Sequence, residues 1–422
     1  MRLIEQAIEK IESGQVTEGL TTLEEAAKTA NHEMKYTVAE TYYELGHLDK
    51  AQAIIDELLM LYPDEGGLYT FAAEILIDLN KEDEAIEMLN EIKEQDPAFL
   101  QAQLLLADLY QLQSLDEVAE QKLLKAYEVA PNEPIISFGL GEFYLERGDY
   151  IKSIPHLKRA KHGGLTNDQV NVSLKLAEAY SGSGQFEEAL PHYDEGLKQK
   201  LDPHGLFGYG YTAYLLGDYV LAIEQFQALK ALDPDFTTLY PYLAKALEGE
   251  NRLEEAMDVL KEGMIVDEYN ETLYVHAGKL SFKMQQPSQG EAFLRKTIAL
   301  NPANVEAVRT LAAYLKHEGR FEALVELIEH VKGYGEEDPL FTWYEAAALK
   351  EGDQFKKAYE LYQEISVAFS EDPDFLEEYG DFLLEYGDRA KALEQYRAAL
   401  TVDPHRLHVK ERIYELELQG EN

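Results

Sequence analysis

GDYVLAIEQFQALKALDPD, residues 217–235, is a phrase the chain writes more than once: GHLDKAQAIIDELLMLYPD follows the same plan at 46–64, and GDRAKALEQYRAALTVDPH follows it more loosely at 387–405. In each copy a glycine opens the phrase, a small residue stands five positions on, and a proline follows twelve after that. The small-residue marker recurs at Gly19, Ala51, Ala85, Ala119, Ser153, Ala189, Ala222, Ala256, Gly290, Leu324, Ala358 and Ala392, with only Leu324 bulky. Eight of the eleven spacings are 34, and the others are 32, 36 and 33, so one register runs from end to end. A fixed period of this length is the mark of a repeat architecture.

Residues 32–65 show what one unit does. Val38, Ala39 and Tyr42 form an apolar stripe at helical spacing, Gly46 breaks it, and Ala51, Ile54, Ile55 and Leu58 form a second stripe. A small residue at 51 lets the second helix approach the first, and Pro63 falls where that helix must already have ended. Each unit is therefore expected to be a helix hairpin. Two short amphipathic helices cannot bury their apolar faces alone, so neighbours must stack into a solenoid.

The pattern resembles the tetratricopeptide repeat (TPR) family, which places small residues at repeat positions 8 and 20, apolar residues at 4, 7, 11 and 24, and proline at 32. Ala39, Ala73, Ala107, Gly141, Ala177, Gly210, Ala244, Gly278, Ala312, Ala346 and Gly380 occupy position 8. Repeat 1 is out of register in its first helix, and Glu345 replaces the apolar residue at position 7 of repeat 11. The resemblance implies an all-α fold: a right-handed superhelical solenoid of about twelve hairpins over residues 1–404, closed by a capping helix at 405–422. Expected repeats are 1–31, 32–65, 66–99, 100–133, 134–169, 170–202, 203–236, 237–270, 271–304, 305–338, 339–372 and 373–404. The composition is also similar to that of TPR-only cytoplasmic proteins of bacteria. KHGG at 161–164 replaces the usual proline ending of repeat 5, which suggests a local hinge or simply a longer loop.

With 80 acidic residues against 38 basic, the net charge is −42. Phosphate binding needs clustered Lys and Arg, and the chain reads as having no basic run, so direct nucleic-acid binding is not expected. Absence of cysteine excludes disulfide and thiolate chemistry. The opening MRLIEQAIEK reads as an amphipathic helix rather than a signal peptide or membrane span, so a cytoplasmic protein without membrane attachment is expected.

No catalytic residue, cofactor or metal site is expected. Gly208, Gly210 and Ala213 match a dinucleotide fingerprint, but Gly210 is the small position of a repeat, and no strand precedes it. His405 and His408 stand three apart at the final helix, and without Cys or a third ligand they read as surface residues rather than a metal site. N-x-[ST] matches at Asn171 and Asn270 carry no weight without a secretory signal.

Function is then expected on the groove that the resemblance to TPR proteins implies, lined by positions 5, 9 and 12 of each first helix. Position 9 is acidic in five consecutive repeats, Glu40, Glu74, Asp108, Glu142 and Glu178, followed by Tyr211 and then by Lys245 and Lys279. Arg309, Lys316 and Lys350 continue the basic character. Residues 1–100 hold 23 acidic and 7 basic side chains, whereas 241–330 hold 15 and 10. Phe207, Tyr211, Tyr214, Phe282 and Trp343, the only tryptophan, are aromatic candidates for a binding hot spot.

These residues lead to a non-catalytic scaffold or adaptor that binds protein partners with basic or mixed-charge segments. A basic face of a large machine such as RNA polymerase or the ribosome fits this charge. The alternative is a chaperone or assembly factor shielding unassembled clients. Oligomeric state is left open.

Overall fold

The computed structural model describes residues 2–165, 170–335 and 338–420, and every regular element among them is an α-helix. Two compact units divide the chain at 216/217.

The first unit opens with α1 Arg2–Glu12, α2 Val16–Thr29, α3 His32–Glu44 and α4 Leu48–Leu61. It continues with α5 Gly66–Asp78, α6 Glu82–Asn90, α7 Phe99–Leu112, α8 Asp116–Val129 and α9 Pro134–Glu146. Completing it are α10 Tyr150–His162, α11 Val172–Gly182, α12 Phe186–Gln199 and α13 Pro203–Leu216. The second unit begins with α14 Tyr219–Leu232, α15 Leu239–Gly249, α16 Leu253–Val266 and α17 Glu271–Lys283. There follow α18 Pro287–Leu300, α19 Val305–His317, α20 Phe321–Lys332 and α21 Pro339–Glu351. Last are α22 Phe355–Ile365, α23 Pro373–Tyr386, α24 Arg389–Val402 and α25 Leu407–Gly420. Odd-numbered helices are the first of each hairpin, and even-numbered ones the second, up to α24.

One backbone device makes every hairpin. A residue with positive φ ends each first helix: Gly14, Gly46, Asn80, Ser114, Gly148, Gly184, Gly217, Asn251, Gln285, Gly319, Asp353 and Gly387. At Gly46 the amide reaches Tyr43 O at 2.9 Å and the next amide reaches Tyr42 O at 2.8 Å, which is Schellman closure of the helix end. Five of the twelve positions are not glycine and adopt the left-handed conformation at a steric cost. Hydrogen bonding and packing of the turn override local preference there, which is why glycine alone did not mark every hairpin.

Helix contact explains the small positions. Ala39, Ala51, Ala73, Ala85, Ala107 and Ala119 are all 0 % exposed. At Gly141 an added Cβ would lie 2.6 Å from Leu157 Cδ2, so α9 and α10 meet at a distance only glycine allows. Ser153 at the facing small position donates its hydroxyl to Gly141 O at 2.7 Å. Leu324, the bulky exception, is fully buried in a cluster with Leu311, Ala312, Leu327 and Ile328. Glu345, the charged exception, is satisfied by Lys332 of the preceding helix at 2.5 Å.

After KHGG, Gly164 has φ +73° and Leu165 N reaches Ala160 O at 3.2 Å, so these residues close the end of α10. Residues 166–169, which follow this turn, lie outside the described residues.

Candidate functional site: the first-helix faces

Within the first unit Tyr36 and Tyr43 of α3 meet Phe71 of α5, α5 touches α7, α7 touches α9, and α9 touches α11, so these first helices form a continuous face. On it stand Glu40, Glu74, Asp108, Glu142 and Glu178. Helical geometry adds residues one turn on, because i and i+4 share a face: Glu44, Asp78 and Glu146 join the row, and position 9 alone did not reveal them.

Electrostatics register the crowding. Burial and then the Glu142 and Glu146 charges push the Asp108 carboxyl up to about 6. Water still reaches this side chain, yet protein atoms displace much of its hydration, as expected for a group among side chains of neighbouring helices. Burial followed by Glu44 raises Glu40 above the usual carboxylate range. Burial also raises Glu74, with Asp78 adding to it, against a hydrogen bond from Gln101 at 3.0 Å. Glu142 is paired with Lys175 at 3.1 Å, and Glu146 accepts from Gln111 at 3.2 Å. Glu40, Glu74, Asp108 and Glu178 have no ion pair among the described residues.

Aromatic rings lie beside these carboxylates. Phe71 is flanked by Tyr36 and Tyr43, each with ring centroids 5.5 Å away. Burial, a hydrogen bond with Asp78 and nearby acidic charge push the Tyr43 phenol up to about 12. Phe207, Tyr211 and Tyr214 are half-buried on α13, where Phe207 and Tyr211 stack at 6.0 Å with planes 5° apart. Tyr36 and Tyr43 stand at positions 5 and 12 of repeat 2 and extend the aromatic candidates into the acidic half.

The basic residues of the second unit are placed differently. Lys279 pairs with Glu306, Arg309 with Asp338 at 2.6 Å, Lys316 with Glu378 at 2.7 Å, and Lys350 with Glu385 at 2.9 Å. Their charge is thus taken up by carboxylates of the chain itself. Lys245 is exposed on α15 with its ammonium 5.2 Å from the Tyr242 ring.

Trp343 is half-buried and makes several contacts within the second unit. Its ring meets Phe369 and Phe375 at 5.2 Å each, and its Nε1–H donates to Glu378 at 2.9 Å. Glu378 also accepts from the Tyr362 hydroxyl at 2.9 Å, making one carboxylate the common acceptor for an indole, a phenol and Lys316. Phe282 packs on Tyr314 at 4.8 Å.

Other sequence features resolve individually. Gly208, Gly210 and Ala213 all lie inside α13, and a Cβ at Gly208 would come 2.6 Å from the Tyr193 hydroxyl oxygen, so these residues serve helix packing. His405 precedes α25 rather than sharing its face with His408, and His408 Nε2 meets Glu377 at 2.8 Å. Among the described residues no group of three or more His, Asp or Glu is arranged to hold a metal, and no helix is long and apolar enough to cross a membrane. Asn171 caps α11, accepting from Leu174 N at 3.1 Å, and donates to Gly196 O at 2.8 Å. One expectation needs correction: Lys158, Arg159, Lys161 and His162 on α10 are a basic run in a chain read as having none.

Comparison with known proteins places this geometry in a family. Regions described as YpiA-like tetratricopeptide repeats match residues 111–164, their C-terminal counterpart matches 339–405, and a general tetratricopeptide repeat matches 174–235. A TPR repeat-containing protein YpiA of Bacillus subtilis (strain 168) is 41% identical over 415 residues, 98% of each chain. Among solved structures, the Cut9–Hcn1 hetero-tetramer of the APC/C covers 97% of this chain and 95% of its own at 11% identity and TM-score 0.40. MamA of Desulfovibrio magneticus RS-1 covers 41% of this chain and 97% of its own at 17% identity and TM-score 0.38. Full-length identity to the Bacillus protein, the repeated small positions and the turn-by-turn hairpins agree, and the chain belongs to the YpiA-like family of tetratricopeptide repeat proteins.

Proposed function

We propose that the chain is a non-catalytic scaffold whose first unit binds a Lys- or Arg-bearing segment of a protein partner along α3, α5, α7, α9 and α11. The observation that carries this reading is the row of carboxylates on adjacent helices, several without an ion pair among the described residues and with Asp108 raised to about 6. A cationic segment laid along the row relieves that repulsion, and Tyr36 and Tyr43 offer ring faces to the same cations. Basic, nucleic-acid-binding faces of RNA polymerase or the ribosome have the chemistry this surface fits. The assembly-factor alternative draws less support from Trp343 and Phe282, whose rings make contacts within the second unit.

Anisotropy of a fluorescein-labelled alternating Lys-Arg peptide tests the reading. Wild type is expected to bind at low salt and weaken as salt rises. Glu74→Lys, Asp108→Lys and Glu142→Lys together should abolish binding, while Lys279→Glu, Arg309→Glu and Lys316→Glu together should leave it. Equal binding by the first variant and wild type sinks the proposal.

A further inference from the structure

Among the described helices α10 stands apart in its charge. Its thirteen residues include Lys152, Lys158, Arg159 and Lys161 and not one carboxylate, in a protein with 80 acidic side chains. Two of the four cations are neutralised: Lys152 pairs with Asp149 at 3.3 Å and Lys161 with Glu195. Lys158 and Arg159 have no ion pair among the described residues. Instead the Lys158 ammonium lies 5.2 Å from the Tyr180 ring and the Arg159 guanidinium 5.2 Å from the Tyr127 ring. A ring face orients a cation without cancelling its charge, so both heads are held in place, exposed and still available to an anion.

The surroundings are built. His156 lies between Tyr127 and Tyr144, with ring centroids 5.7 Å from each, and its Nδ1 is buried without a hydrogen-bond partner. On the next hairpin His192 stacks on Tyr180 at 5.5 Å with planes 4° apart. Tyrosines and imidazoles therefore form a stiff bed beneath the two free cations.

We propose that this face of α10, with Tyr127 and Tyr180 at its sides, docks a short acidic segment of a protein partner. Charge complementarity fixes the occupant's sign, and the width of the strip fixes its class. From Lys152 to Lys161 the helix rises about 13 Å, the reach of roughly four extended residues. Glu117, Glu120 and Glu128 of α8 lie on one flanking helix, and Glu187, Glu188 and Asp194 of α12 on the other. A continuous polyanion such as nucleic acid runs onto those carboxylates and meets a net charge of −42. A segment with two or three carboxylates does not. The site lies on a second helix of its hairpin, apart from the carboxylates of α9, and is independent of the proposal above.

Anisotropy of a fluorescein-labelled peptide with four clustered Asp and Glu residues, on the full chain at low salt, is the test. Wild type binds; Lys158→Glu with Arg159→Glu weakens binding about tenfold; Lys158→Gln with Arg159→Gln weakens it less. Lys356→Glu with Lys357→Glu on α22 has no effect. Circular dichroism melts establish that all variants are folded, which is expected because the changed side chains are exposed. The proposal is overturned by no binding to wild type, by equal loss in the α10 and α22 variants, or by tighter binding of a single-stranded oligonucleotide than of the peptide.

Discussion

Asp108→Asn should make the protein more stable at pH 8 and leave its stability unchanged at pH 4. Burial, with Glu142 and Glu146, raises the Asp108 carboxyl from 3.8 to about 6. Between those values the folded chain holds a proton that the unfolded chain has released, so stability falls as pH rises through that window. Above it the charged group is a constant liability, and below it the liability is gone. For a fully enclosed carboxylate a shift of this size corresponds to roughly 3 kcal/mol. Water reaches Asp108, and screening lowers the expected penalty to about 1 kcal/mol. Asparagine keeps the shape and removes the charge, so the gain should equal that penalty. Urea melts followed by circular dichroism at about pH 8, 6 and 4 measure it, with equal slopes securing the comparison. A loss of stability at pH 8, or a gain of the same size at pH 4, would refute the reasoning. A site residue that costs stability is what a binding surface predicts, and binding of a cationic peptide should strengthen across the same pH window.

Three further outcomes follow from packing. Leu324→Ala should destabilise by about 2–5 kcal/mol, since Leu324 is 0 % exposed in its cluster and a cavity would remain; a stability within error of wild type in urea melts would show that the pair α19 and α20 closes over the space. Gly141→Ala should cost about 1–3 kcal/mol despite alanine's better helix propensity, because its Cβ would sit 2.6 Å from Leu157 Cδ2; a raised melting temperature would contradict it. Glu378→Ala should cost about 1–3 kcal/mol and alter emission of the single tryptophan, since Trp343 Nε1–H and the Tyr362 hydroxyl lose their acceptor; Glu378→Gln should retain more of both, and identical emission from all three proteins would refute the shared-acceptor role.

The hairpins were legible in one dimension because their cause is local. A 34-residue period, a small residue where two helices meet and an apolar stripe on each helix are forced by short-range packing, and the buried Ala51, Ala85 and Ala119 occupy the positions the spacing marked. The acidic row was also legible, since helical geometry places position 9 on the first-helix face. What the sequence could not decide was which charges remain unneutralised. Lys316 and Glu378 are 62 residues apart, and only their approach to 2.7 Å removes that lysine from the free cations. Trp343 likewise reads as a lone anchor until Phe369, Phe375 and Glu378 are seen to cover part of its ring. The converse holds at Lys158 and Arg159, where folding supplies ring faces instead of carboxylates. Ion pairing and ring contact depend on side chains that meet through three-dimensional stacking, so the same residue types are free on one helix and consumed on another.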